Sequence, residues 1–165
     1  MIAISPSSAQ PKWSTMSFAS TLYLCPVLDL LLANIPKQLQ PEIRLGLQEA
    51  LVNAAKHGNK LDPSKTVVVQ FSVTKEGYSW VISDQGSGFA TEQVNRCNCD
   101  NDCDSHCDSH SNSHSLPDLP PEESESGRGL CILHQIFDQV HWNRQGTQLR
   151  LSKQIKKGKR QPLFN

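Results

Sequence analysis

The 165-residue sequence predicts an α+β fold: a two-layer sandwich with a mixed, mostly antiparallel sheet covered on one face by helices. Three observations carry that expectation. Strand-like runs come in neighbouring pairs joined by short turns, at 66–73 with 78–83 and at 140–142 with 147–153. Helical patterns fall between the pairs, the longest running from Pro41 to about Lys56. The length suits one domain with a single hydrophobic core and leaves no room for a second.

In chain order, residues 1–14 are rich in Ser, Pro and Gln and read as a flexible arm. Residues 15–25 (TMSFASTLYLC) have the β-branched and aromatic character of a first strand. The apolar run 27–33 reads as a short helix that ends before Pro36. Pro41 suits the first turn of the long helix, and Gly58 and Asn59 supply its stop. Asp62 and Pro63 turn the chain into the first hairpin, whose second strand runs straight into DQGSGF at 84–89. A further helix is expected from near Gly129 through Phe137, followed by the second hairpin around Gln145 and Gly146. Residues 154–165 read as a basic, solvated tail.

Composition narrows the function classes. Hydrophobic residues make up 37% of the chain, and no apolar run approaches the roughly 18 residues that cross a bilayer. The first residues lack a basic region followed by an apolar core, so a cytoplasmic protein with no membrane partner is expected. Residues 89–126 hold nine of the sixteen acids and one of the sixteen bases, a net charge of −8 that leaves +8 on the remainder. That basic body can favour acidic partners or nucleotide phosphates, yet it lacks the aromatic-interleaved ridge of a nucleic-acid surface. Four of the six cysteines crowd into 97–107, which points to metal binding or reactivity before disulfides.

Three motifs carry chemistry. On the long helix, Glu49, Asn53 and His57 stand at i, i+4 and i+8 and share a face, beside an apolar face of Ile43, Leu47, Ala50, Leu51 and Ala54. One side packs and the other presents a carboxylate and a carboxamide. After the strand at 78–83, Asp84 is followed by Gly86 and Gly88, which let the backbone approach a ligand while the aspartate accepts a hydrogen bond from it. Gly127, Arg128, Gly129 and Leu130 then read as a helix start, where free N–H groups and an arginine suit a phosphate chain.

Taken together, E-x3-N-x3-HG, D-x-G-x-G, GRGL and a late Gly146-Thr147, in that order, resemble the GHKL ATPase superfamily of gyrase, the MutL repair proteins and histidine kinases. EALVNAAKHGNKLDPSK and GLCILHQIFDQV are similar in particular to the bacterial anti-sigma-factor type of serine/threonine protein kinase. The likeness spans roughly residues 15–153, outside the interior of 90–126. It implies a Bergerat-type ATP-binding fold in which Asn53 holds Mg²⁺ against the ATP phosphates, Lys56 reaches a phosphate and Glu49 is the general base. By the same resemblance Asp84 binds the adenine amino group with Thr147 assisting, Gly86 and Gly88 hinge a lid, and Gly127, Arg128, Gly129 and Leu130 line the phosphates. For His57, helix-end packing or capping stands beside a role in the site. The implied partners are a sigma factor, a phosphorylatable antagonist protein, or both, and a second copy of the chain in a homodimer.

The segment 89–126 departs from that family pattern by its length of 38 residues. Cys97, Cys99, Cys103 and Cys107 with His106 and His110 could take Zn²⁺. A slipped tetrapeptide would leave the same four-residue repeat with no function. The alternative to a kinase is thus a non-catalytic nucleotide-dependent binding module whose Cys/His-rich lid senses metal or redox state.

Overall fold

The computed structural model of the chain describes residues 12–91 and 123–155, with side chains in the second span described from Gly129 onward. The elements are β1 (Trp13–Ala19), α1 (Cys25–Leu32), α2 (Gln40–Val52), β2 (Thr66–Val73), β3 (Gly77–Ser83), α3 (Glu123–Ile136), β4 (Gln139–Trp142) and β5 (Gln148–Gln154). The strands form one five-stranded sheet in the order β1-β2-β3-β5-β4. Each neighbouring pair is antiparallel, so the parallel component expected of a mixed sheet does not occur among the described residues. Both expected hairpins form: β2 pairs with β3 and β4 with β5, and the long excursion through α3 returns the chain to put β5 against β3.

Alternation sorts the sheet into two faces. Val67, Val69, Trp80, Ile82, Leu149, Leu151 and Trp142 are buried against the helices. Between them on the same strands, Gln70, Ser79, Gln148 and Arg150 are partly or fully exposed. The helices answer with Val27, Leu28 and Leu31 from α1, Ile43, Leu47 and Leu51 from α2 and Leu133 from α3. Trp80 anchors the middle of this core, its ring meeting Phe137 edge-on at 5.6 Å between centroids. At the far end of α3, Lys153 of β5 donates to the Ile136 carbonyl at 2.6 Å and lies 3.2 Å from the Glu42 carboxylate, tying α3 and α2 to the sheet. No helix among the described residues is long and apolar enough to cross a membrane.

Several boundaries differ from the sequence expectation, and three of the elements differ most. β1 runs from Trp13 rather than residue 15 and stops at Ala19, because the Ser20 N–H and hydroxyl both bond the Lys65 carbonyl and turn the chain away. The long helix does not stop at Lys56 as a plain α-helix. It widens into a π-helical turn over Asn53–Gly58, marked by the Asn59 N–H bonding the carbonyl of Ala54, five residues back. α3 begins at Glu123, six residues before Gly129, which corrects the reading of GRGL as a helix start.

The π-turn ends in a buried polar knot. Asn59 has no exposed surface; its Nδ2 donates to Ser20 Oγ at 2.7 Å and to the Thr66 carbonyl at 3.0 Å, while its Oδ1 accepts from the Gln85 N–H at 2.7 Å. One side chain thereby joins the end of β1, the start of β2 and the loop after β3. Replacing Asn59 by alanine strands these buried partners and is expected to cost about 2–4 kcal/mol of unfolding free energy. Asn59→Asp should be comparably harmful, since a carboxylate would face the Thr66 carbonyl. Urea denaturation, read as a fall in midpoint at constant slope, checks both.

Candidate functional site

A cavity of about 320 Å³ opens where the π-turn, the loop after β3, α3 and the β4–β5 turn meet. Its polar lining comes from Asn53, His57 and Asp84, and its apolar lining from Phe89, Leu130 and Trp142. Gly58, Gly88 and Gly146 complete the wall with backbone. The wide turn matters for the polar side. Asn53 opens that turn and His57 lies four residues on within it, and both reach the cavity.

Close approaches of backbone build the rest. A Cβ on Gly58 would collide with the Asp84 carboxylate, so only glycine lets the helix end and Asp84 sit together. Asp84 Oδ1 accepts from the Gly86 N–H at 2.8 Å, and the Asp84 N–H donates to the Thr147 carbonyl at 3.0 Å. Gly88 and Gly146 have φ of +74° and +70°, and a Cβ on Gly88 would run into the Gln145 carbonyl. The loop and the β4–β5 turn therefore close on one another as a pair, sealed by the Phe89 N–H donating to Gln145 O at 3.1 Å.

At the other end of the polar stripe, α3 crosses Glu49 and Asn53. A Cβ at Gly129 would stand 3.2 Å from Glu49 Oε2 and 3.7 Å from Asn53 Nδ2. Gly129 is buried there inside the helix, which explains why reading the glycine as a helix start failed: it makes room for the stripe.

A model of the histidine kinase-like ATPase domain matches residues 27–153, most of the chain. The chain belongs to that family. Comparison with curated proteins gives no match. A histidine kinase-like ATPase domain implies ATP as ligand, typically with Mg²⁺. Mg²⁺ takes hard oxygen donors. The Asn53 carboxamide oxygen on the cavity wall is such a donor, so the residue present fits such an ion.

Of the site residues expected from sequence, Asn53, Asp84, Gly88 and Leu130 line the cavity. Gly86 lies just behind Asp84, and Glu49 and Gly129 adjoin Asn53. Gly127 and Arg128 precede Gly129 in α3, so their N–H groups lie within the helix, where free first-turn donors were expected. Thr147 stands one layer back: its hydroxyl accepts from Asn143 Nδ2 at 3.2 Å while its carbonyl accepts from Asp84. Lys56 is exposed and is not part of the lining. Among the described residues no group of three or more His, Cys, Asp or Glu could hold a metal. The zinc ligands considered above, Cys97, Cys99, Cys103, Cys107, His106 and His110, lie outside the described residues.

Sequence reasoning missed Phe89, Trp142 and the structural role of Asn59. Phe89 stood next to DQGSG and was within reach of attention; Trp142 carries no signal of its own, because an aromatic in a strand reads as core.

Burial holds the Asp84 carboxyl above its ordinary range, opposed by the Gly86 N–H and the more distant charge of Lys65. A raised carboxyl ionises later as pH rises, so an ATPase site that uses Asp84 as a charged acceptor weakens from the acid side. Nucleotide affinity is expected to fall as pH drops through that raised value, more so than in Asp84→Asn, whose affinity is low and flat. Calorimetric titration of ADP across the acid range checks this. The same Asp84→Asn variant should be at least as thermally stable as wild type, since it removes a half-buried charge.

Proposed function

We propose that this ATPase domain is a cytoplasmic, ATP-dependent serine/threonine protein kinase of the anti-sigma-factor type, which binds a sigma factor, phosphorylates an antagonist protein, or does both. The observation that carries the reading is the Glu49 carboxylate, one helical turn before Asn53 and beside it at Gly129. A nucleotide-binding module with no transfer step has no need of a base at that position. The likeness of EALVNAAKHGNKLDPSK to kinases of this type supports the same reading, and it extends to action as a homodimer.

In this reading Asp84 accepts a hydrogen bond from the exocyclic amine of the base, and Asn53 orients the phosphates at the opposite end of the stripe. Bound Mg²⁺ supplies neutralisation of the phosphate charge. Glu49 Oε2 takes the proton of the substrate hydroxyl as that oxygen bonds to the γ-phosphorus, and the bond to the β-phosphate oxygen breaks to release ADP. Apolar Leu130 and Trp142 limit water within the cavity.

The two stripe residues are separable by mutation. Asn53→Ala is expected to abolish Mg-ATP binding. Glu49→Ala should retain binding within a few-fold and lower transfer by about 10²–10⁴-fold, the range of a general base. Labelled ATP, Mg²⁺ and candidate antagonist proteins provide the assay. Equal labelling by wild type and Glu49→Ala removes Glu49 from the role of base; nucleotide-dependent partner binding without any labelling leaves a binding module.

A further inference from the structure

The face of the sheet turned away from the helices carries a row of mostly short side chains that crosses all five strands. Pairing sets Trp13 opposite Ser72, Ser72 opposite Ser79, Ser79 opposite Ser152 and Ser152 opposite Gln139. Their strand neighbours Phe71, Trp80 and Leu151 point into the core, so alternation turns the serines outward. Three serines in succession leave a low floor, and a shallow cavity of about 630 Å³ lies there, lined by Ser79, Ser152 and Gln139. Two observations mark this floor as a surface made to be covered. The Ser72 side chain is only 3% exposed, yet its Oγ has no hydrogen-bond partner among the described residues, a cost that a polar group laid on the row would relieve. In the next row Arg150 stands exposed opposite His141, and among the described residues no ion pair or hydrogen bond engages its guanidinium. None of the five strands contains an aspartate or a glutamate to balance it. Glu76 reaches the hairpin end of the cavity, where Lys75 precedes it in the chain.

We infer that this outer face docks an extended, acidic segment of a partner protein, its backbone on the serine row and a carboxylate on Arg150. Hydroxyls both donate and accept, so a row of them suits an extended chain, whose N–H and C=O groups all need partners. A helix satisfies its own backbone and gains nothing from such a row. At about 4.8 Å per strand spacing the row spans roughly 19 Å, the length of about six extended residues. An unpaired arginine selects carboxylate because its planar fork can hold both oxygens at once. A second copy is a poor occupant, since stacking two such faces adds guanidinium to guanidinium with no strand carboxylate on either. The surface is separate from the Asp84 cavity, which lies beyond the other end of β3 and among the helix ends, so each can be filled without the other.

The test uses the full chain and the fluorescence anisotropy of a labelled polyglutamate peptide at physiological ionic strength. Arg150→Gln is expected to weaken binding about tenfold. Ser79→Phe, which fills the floor and leaves every charge in place, should weaken it about as much, and Ser152→Phe provides a second filling should the first fail to fold, as judged by thermal melting. Lys37→Gln, an exposed charge in the α1–α2 loop, should stay within about twofold of wild type. Inorganic phosphate should not displace the peptide. A wild-type chain that does not bind polyglutamate overturns the proposal. So does an equal loss in Lys37→Gln, which means diffuse attraction, or displacement by phosphate, which means a free-anion site. If Arg150→Gln weakens binding while both folded serine variants bind as wild type, the row is not the dock and the proposal fails. It fails too if sedimentation shows a wild-type dimer that Arg150→Gln or Ser79→Phe turns into monomer, because the face is then covered by a second copy.

Discussion

The hydrogen bonds of Asn59 are the constraint on which the rest of this domain depends. The residue follows directly on the π-turn, is fully buried, and satisfies donors and acceptors from three separate parts of the chain. Immediately after it, Lys60 and Leu61 have φ of 56° and 55°, a left-handed conformation that costs a non-glycine residue roughly 1–2 kcal/mol. Two such residues in succession persist only where the surroundings over-determine them. Asn59 on one side and the Leu61 N–H bonding the Ala55 carbonyl on the other do so.

The site inherits its geometry from that knot. Because Asn59 Oδ1 holds the Gln85 N–H, the chain leaving β3 is pinned at the residue after Asp84, and Gln85 Oε1 returns a bond to the Thr66 N–H at 2.7 Å. Asp84 is then pressed against Gly58, half out of water, with its carboxyl raised by burial. The opposite end is set by a different contact, the crossing of α3 over Glu49 and Asn53 at Gly129. A single helix therefore carries the metal-competent carboxamide of Asn53, and its widened last turn brings His57 and Gly58 to the same cavity. π-turns of this kind recur at functional positions because they re-aim side chains without ending the helix.

Much of the architecture was legible from local pattern. β2 has the bounds expected from its alternation, and β3, β4 and β5 each lie within a residue of theirs, because a half-buried antiparallel strand writes its register into the sequence. Asn53 and Asp84, singled out from the order of the motifs along the chain, both line the cavity. The start of α3 was not legible. Gly127 and Gly129 have the local appearance of a helix boundary, and only the proximity of Glu49 reveals that Gly129 serves packing.

What the sequence determined by itself was the set of elements, their antiparallel pairing in hairpins and the chemical identity of the polar stripe, since these follow from periodicity within a few residues. Tertiary structure alone decided that Asn59 is a buried junction rather than a helix stop, that Phe89 and Trp142 form one wall, and that the helix through Asn53 ends in a π-turn. The physical reason is the same in each case. Phe89 and Trp142 are 53 residues apart in the chain, as Asn59 and Ser20 are 39 apart, and a contact of that range is set by how the layers close on the core.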